Sequence, residues 1–79
     1  MEDNKEKSVY ERKLNIFNKM KELGISITAI SKKSGLKYAT LRDKLIGRTE
    51  FKVEEAITVY NTFFKQYDFN WLFTKEEEE

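Results

Sequence analysis

The chain has 79 residues, the length of one small domain, which leaves no room for a large active-site architecture. Its 15 Lys and Arg stand against 14 Asp and Glu, and a formal net charge of +1 does not by itself mark a nucleic-acid binder. There is no Cys and no His, which excludes disulfides, thiolate nucleophiles, zinc sites with N/S ligands and the commonest general acid–base group. We therefore expect neither an enzyme nor a protein that holds a metal ion or cofactor.

Residues 1–7 are charged rather than apolar, and no run approaches the ~20 apolar residues that cross a bilayer. We expect a cytoplasmic protein without a membrane role, in which residues 1–7 are flexible. The 6 Phe, 4 Tyr and 1 Trp supply enough apolar area for a modest core.

The first helix is predicted over residues 9–23. Ser8 and Glu11 have the S-x-x-E spacing of a capping box, in which each side chain satisfies a backbone N–H group of the other residue. Gly24 follows as a left-handed stop. Between them, apolar residues recur at steps of three and four, namely Tyr10, Leu14, Ile16, Phe17, Met20 and Leu23.

Two short helices are predicted next, separated by Gly35. Ser26 is the expected N-cap of the first, which ends before Gly35. The second runs from about 37 to 46 and stops at Gly47. Its apolar stripe consists of Tyr38, Leu41 and Leu45.

A loop at 48–52 precedes a fourth helix, and a last short turn follows it. Asp68 is the expected N-cap of that last turn. No stretch alternates with period two, so the sequence predicts an all-α bundle of four to five helices, followed by a disordered acidic tail at 76–79. The fourth helix is marked by an amphipathic stripe of Val53, Ala56, Ile57, Tyr60 and Phe64.

The stretch 27–46, ITAISKKSGLKYATLRDKLI, resembles the helix-turn-helix of lambda-repressor-like proteins of the Cro/Xre type. Four positions carry the resemblance: an apolar residue in the first helix, a glycine in the turn, an apolar residue after it and an apolar anchor in the second helix (Ile30, Gly35, Leu36, Leu41). The chain departs from the family pattern at three positions where small or apolar residues are usual (Ser31, Ser34, Lys44).

Two further segments extend the resemblance. Residues 40–56, TLRDKLIGRTEFKVEEA, look like the part of small phage Cro-type repressors in which the recognition helix ends at a glycine before a basic loop. Residues 68–73, DFNWLF, look like the C-terminal end of several phage-encoded regulators. The resemblance covers about 9–73 and implies a lambda-repressor-like helix-turn-helix domain at 8–75, in a small phage or mobile-element repressor.

The resemblance also implies that the helix at about 37–46 lies in the major groove of DNA. The implied base contacts are Tyr38, Ala39, Arg42 and Asp43. Arg42 can donate to guanine O6 and N7, Asp43 can accept from cytosine N4, and Ala39 can touch a thymine methyl. Plainer interpretations stay open: Arg42 and Asp43 can form an ordinary solvated face, and Tyr38, on one stripe with Leu41, can belong to the core.

Phosphate contacts are expected around this helix, from residues that position it without reading the sequence. Residues 32–52 contain seven basic and two acidic side chains, and residues 8–75 together carry +6. Lys44 faces away from the base-reading positions and is interpreted as a surface charge. The expected backbone contacts are Lys32, Lys33, Lys37, Thr40, Arg48, Thr49 and Lys52.

A homodimer is expected, because a single helix-turn-helix reads only a few base pairs. Residues 60–73 contain seven aromatic side chains, more than one short helix can turn inward. Phe63, Tyr67 and Trp71 recur at four-residue steps and are candidates for an exposed dimer patch. The alternative is that they cover the core of their own domain.

The sequence therefore predicts a sequence-specific regulator of transcription that binds a double-stranded DNA operator and acts as a phage-type repressor. Regulation would come from its concentration or from a protein partner. The alternative is a protein-interaction module with the same fold, such as an antirepressor or antitoxin.

Overall fold

The computed structural model describes residues 13–77, which form a bundle of five helices and contain no strand. The predicted all-α class is confirmed. No helix in this part of the chain is long and apolar enough to span a lipid bilayer. The helices are α1 (Asn15–Leu23), α2 (Ile27–Ser34), α3 (Tyr38–Leu45), α4 (Val53–Phe63) and α5 (Phe69–Leu72).

One apolar core lies between the helices, and every helix supplies at least one buried side chain to it. Phe64, directly after α4, is the largest side chain that is fully enclosed. No polar or charged residue among 13–77 is buried. The other fully enclosed side chains are Ile16, Ile30, Leu41, Leu45, Val59 and Leu72.

The start of α1 differs from the prediction of a helix over 9–23. Leu14 has an extended backbone and pairs with Lys75 in an isolated antiparallel bridge. Its N–H group donates to the Leu45 carbonyl at 3.0 Å, and the Asn15 N–H donates to the Thr74 carbonyl at 2.9 Å. These long-range bonds hold the backbone at Leu14 extended, so α1 begins at Asn15. The predicted capping box at Ser8 and Glu11 lies outside the described residues.

The later helix ends follow the predicted caps closely. The Ser26 hydroxyl accepts a hydrogen bond from the Ala29 N–H group at 3.0 Å, at the N-terminus of α2. The Asp68 carboxylate accepts from the Trp71 N–H group at 2.8 Å, at the N-terminus of α5. Both side chains satisfy backbone donors that have no partner within their helix, as an N-cap does.

The predicted stripe of α4 is correct only in part. Of the predicted residues, Ala56 and Phe64 are buried and Tyr60 is half-buried, but Val53 and Ile57 are exposed. Val59, which is not in the predicted stripe, is fully buried. A helix turns by about 100° per residue, so the inward direction defined by Ala56 and Val59 leaves Val53 and Ile57 on the outer edge.

The C-terminal segment is attached to the bundle further than predicted. The Glu76 N–H group donates to the Lys13 carbonyl at 2.8 Å, and the Glu76 carboxylate accepts from the Asn18 side-chain amide at 3.0 Å. Glu76, predicted to begin a disordered tail, therefore continues the pairing that starts at Leu14 and Lys75.

Candidate nucleic-acid interface

Helices α2 and α3 are joined by a turn of three residues, 35–37. Gly35 has a left-handed backbone with φ of 85°, and its N–H group donates to the Ser31 carbonyl at 2.9 Å. A Cβ atom at Gly35 would meet nothing within 4 Å, so the backbone conformation, not lack of space, favours glycine here. The turn thus ends α2 and allows the chain to start a new helix at Tyr38.

Two serines, Ser31 and Ser34, stabilise this turn. The Ser31 hydroxyl donates to the Leu36 carbonyl at 2.6 Å, and the Ser34 hydroxyl accepts from the Leu36 N–H group at 3.1 Å. The Leu36 side chain packs against the core. Each serine therefore has a hydrogen-bonding role that a small or apolar residue would not supply, and together they fix both backbone groups of Leu36.

Helix α3 has a buried face and an outer face. Leu41 and Leu45 are fully enclosed and anchor the helix to the bundle. Tyr38 is 50% exposed, so the interpretation of this residue as core is wrong. Ala39 and Arg42 are exposed as well. Three of the four predicted base contacts therefore lie on the solvent side of a helix whose opposite side is fixed.

The fourth predicted base contact, Asp43, is half-buried and lies beside Arg42. The Arg42 Nη2 atom is 3.3 Å from the Asp43 Oδ1 atom. An ion pair this exposed contributes about 0–1 kcal/mol, so its partners can exchange it for other hydrogen bonds at small cost. The Asp43 carbonyl oxygen also accepts from the N–H groups of Arg48 and Thr49, at 2.8 and 3.3 Å. The Asp43 carbonyl thus holds the backbone of the loop that follows.

Apart from Thr40, which lies within α3 itself, the predicted phosphate contacts lie on both sides of α3 along the chain. Those before α3 belong to the last turn of α2 and to the N-cap of α3, and those after it belong to the loop at 46–52. Thr40 is half-buried, and the others are exposed (Lys32, Lys33, Lys37, Arg48, Thr49, Lys52). The basic side chains therefore flank the outer face of α3 in the sequence and are open to solvent.

Lys44 is not the surface charge that the sequence suggested. Its side chain is only 11% exposed, its Nζ atom lies 2.6 Å from the Glu55 carboxylate, and it also donates to the Glu50 carbonyl at 3.1 Å. The hydrogen bond from Lys44, followed by one from the Lys52 N–H group, lowers the pKa of Glu55. Lys44 therefore ties α3 to α4 across the loop.

This contact could have been found from the sequence. In the lambda-repressor-like pattern that the sequence resembles, the position of Lys44 is usually apolar, and this pattern predicts a side chain directed toward the bundle. A long, charged side chain directed inward needs an acidic partner. The N-terminal turn of α4 offers Glu54 and Glu55, and Glu55 is the one that meets Lys44.

The loop at 46–52 is consequently held from both ends. Gly47 has a left-handed backbone with φ of 88°, which reverses the chain after α3. The Asp43 carbonyl accepts from the first half of the loop, and the Lys44 ammonium group donates to the Glu50 carbonyl. At the other end of the loop, the Lys52 N–H group donates to the Glu55 carboxylate at 3.0 Å. A loop fixed in this way presents its exposed side chains in a defined arrangement.

The predicted dimer patch of three aromatic residues does not form one exposed surface. Phe63 and Tyr67 are half-buried and pack against the core, and only Trp71 is exposed, at 46%. The Lys33 Nζ atom lies 5.4 Å from the Phe63 ring centre, and the Lys19 Nζ atom lies 5.0 Å from that of Tyr67. Two of the three rings therefore cover their own domain, as the alternative interpretation had it.

Within residues 13–77, no group of three or more acidic side chains is arranged to hold a metal ion. Comparison with protein-family models, with curated proteins and with solved structures finds no match for this chain. The assignment of a function therefore depends on the chemistry of the surface around α3.

Proposed function

We propose that the chain is a sequence-specific regulator of transcription of the phage-repressor type, which binds a double-stranded DNA operator with α3 in the major groove. The observation that carries the proposal is the outer face of α3, where Tyr38, Ala39 and Arg42 are exposed while Leu41 and Leu45 are fully enclosed. A rigidly anchored helix with exposed, chemically diverse residues in its first turns is what base reading requires.

The four side chains offer different base contacts. The Arg42 guanidinium donates two hydrogen bonds to guanine, and the Ala39 methyl group packs against a thymine methyl. Asp43 either accepts from cytosine N4 or keeps its contact with Arg42 and orients the guanidinium. Tyr38, in the first turn, reaches a base edge or a phosphate.

Affinity comes from the basic residues that flank α3. Exposed ammonium and guanidinium groups before and after the helix neutralise phosphates and set the position of the helix on the duplex. The near-neutral total charge hides this distribution, because the acidic residues are concentrated at the two ends and in the first turn of α4. Operator occupancy by a homodimer then blocks or recruits polymerase, without chemistry by the chain itself.

Selection from a pool of random duplexes tests this proposal. We expect enrichment of a defined sequence and an affinity that falls steeply with salt, with a log–log slope of about −0.9 for each phosphate contacted. A pool that shows no enrichment, together with a flat response to salt, would contradict DNA binding. That outcome would favour the antirepressor or antitoxin type of interaction module.

A further inference from the structure

The loop at 46–52 lies beside an open cleft rather than against closely packed side chains. The cleft has a volume of about 340 Å³, and Gly47, Thr49 and Glu50 line it on the side of the loop. Protein interiors are otherwise close-packed, so a loop beside a space of this size has less packing to fix its position. Its hydrogen bonds hold it on the sides of α3 and α4. Contacts with the C-terminal segment, which also lines the cleft, therefore decide how firmly the loop is held.

One side chain of the loop makes such a contact. Phe51 is the only aromatic residue in 46–52, and its ring is half-buried and packs against the core. The Phe51 ring centre lies 5.2 Å from that of Phe73, and the two planes are at 86°, which is an edge-to-face pair. Phe73 directly follows α5, so the contact joins the loop to the far end of the sequence.

Phe73 is itself held in place by backbone and ring contacts. Its N–H group donates to the Phe69 carbonyl at 3.2 Å, and the carbonyl of the next residue, Thr74, accepts from the Asn15 N–H group at 2.9 Å. The Phe73 ring lies 4.9 Å from the Phe69 ring, which lies 5.2 Å from the Tyr60 ring in α4. A row of four rings thus connects the loop to α4 through the C-terminal segment.

The three predicted phosphate contacts of the loop, Arg48, Thr49 and Lys52, lie within three residues of Phe51. We infer that Phe73 is a positioning residue of the DNA site, which acts through the Phe51 ring to hold this loop against the duplex. The inference rests on the proposed function and deepens it. It assigns to Phe73 an effect on affinity for every duplex and none on the choice of base, because the residues proposed to read bases lie on α3.

The first test needs no DNA and measures amide hydrogen exchange in the full chain. The Arg48 and Thr49 N–H groups both donate to the Asp43 carbonyl, so their exchange reports opening of the loop. The Leu41 N–H group donates to the Lys37 carbonyl at 2.9 Å, and its exchange reports the stability of α3. A variant that only destabilises the whole fold would not raise exchange in the loop above the change at Leu41.

The test variants are Phe51→Leu and Phe73→Leu, which keep an apolar side chain and remove the ring. Phe17→Leu is the matched control, because Phe17 is also half-buried and packs against the core but lies in α1. We expect both test variants to raise the exchange rates at 48 and 49 by a factor at least about fivefold larger than at Leu41. The control should change the loop and Leu41 by factors that agree within about twofold.

The second test is a double-mutant cycle in DNA binding. Phe51→Leu and Phe73→Leu should each weaken binding to random duplexes by about three- to tenfold, and the double variant should lose at most about twofold more than either, because all three lack the same contact. The salt slope should fall by up to about two, one for each basic side chain of the loop. The ratio of affinities for selected and random duplexes should stay within about twofold of wild type.

The inference is overturned if exchange at 48 and 49 rises no more than at Leu41, if Phe17→Leu loosens the loop equally, or if the double variant loses the product of the two single losses. Because the exchange measurement contains no DNA, the inference and the proposed function fail separately. A wild-type chain that binds no duplex contradicts the proposed function, whereas locally faster exchange in both ring variants still supports the role of Phe73 in holding the loop.

Discussion

The outer faces of α3 and α4 are built in the same way but carry different side chains. Each helix is anchored by two buried aliphatic or small residues, Leu41 and Leu45 in α3 and Ala56 and Val59 in α4. Outside, α3 is flanked by basic residues and presents Arg42, whereas α4 exposes two aliphatic side chains among polar and acidic ones and contains no basic residue. The difference teaches that one core can support two surfaces of distinct chemistry, one flanked by basic side chains and one without any basic residue.

The largest effect is expected when a side chain of the common core is truncated. Leu45→Ala deletes a fully enclosed side chain at the end of α3 and should lower the free energy of unfolding by about 2–5 kcal/mol. Urea unfolding followed by circular dichroism measures this loss. Tyr38→Ala, on the exposed face of the same helix, is the control and should change stability by no more than about 0.5 kcal/mol. Similar losses in both variants would mean that α3 has no distinct outer face.

The next effect separates reading from positioning on the α3 side. Arg42→Ala should reduce discrimination at one base pair by about 1–3 kcal/mol, because the guanidinium fork is lost. Lys52→Ala should weaken binding to all duplexes alike and reduce the salt slope by about one. Competition titrations with selected and random duplexes measure both. If the two variants weaken selected and random DNA by the same factor, Arg42 does not read a base.

A pair of glycines sharpens the comparison further. Gly35 and Gly24 both have left-handed backbones, with φ of 85° and 74°, and a Cβ atom would meet nothing within 4 Å at either. Alanine at each position should therefore cost a similar amount of stability, about 1–2 kcal/mol. Only Gly35→Ala should also weaken DNA binding, since its turn sets α3 against α2. Equal loss of DNA affinity in Gly24→Ala, at matched stability, would remove the special role of the α2–α3 turn.

The smallest effect concerns the link between the two faces. The pKa of Glu55 is lowered by its hydrogen bonds from Lys44 and from the Lys52 N–H group. The stabilisation is therefore present above the ordinary carboxyl pKa of 4.5 and is lost as the pH falls through the lowered value in the folded chain. The stability difference between wild type and Glu55→Gln, measured by urea unfolding, should shrink from pH 7 to strongly acidic pH. A difference that is constant with pH would show that the carboxylate charge is not involved.

The same variant bears on DNA binding. Glutamine at this position keeps an acceptor oxygen but loses the charge that pairs with Lys44, so the loop at 46–52 is held less firmly and Glu55→Gln should weaken binding to all duplexes several-fold. Discrimination between bases should not change, because the residues proposed to read bases are not part of this contact. Asp68→Asn, which keeps a capping side chain far along the chain, is a control that changes the net charge by the same amount.

Local signals in the sequence predicted most of the helix ends. Ser26 and Asp68 cap their helices with side chains that reach only three residues along the chain, which is information that a short window contains. The start of α1 was missed because Leu14 is held by Lys75 and Leu45, residues that only the fold brings near.

The errors at the candidate site have the same cause, namely contacts with residues that are distant in the sequence. The exposure of Tyr38 and Ile57 could not be decided from periodicity, since each lies at the edge of an apolar stripe and the packing of the neighbouring helix determines which side is covered. The role of Lys44 depends on Glu55 in another helix. The exposure of basic residues such as Lys37 and Lys52 is simpler to predict, because both lie at the ends of predicted helices, where charged side chains normally face solvent.

One measurement tests the central claim most directly, namely that the α3 side meets DNA and the α4 side does not. Backbone amide chemical shifts of the full chain are followed while a short random-sequence duplex is added at low salt. We expect the largest changes in the last turn of α2, in the outer face of α3 and at 48–52, and we expect them to reverse when salt is added. Changes centred on Val53, Ile57 and Trp71, or no changes at all, would contradict the assignment of α3 as the DNA-reading helix.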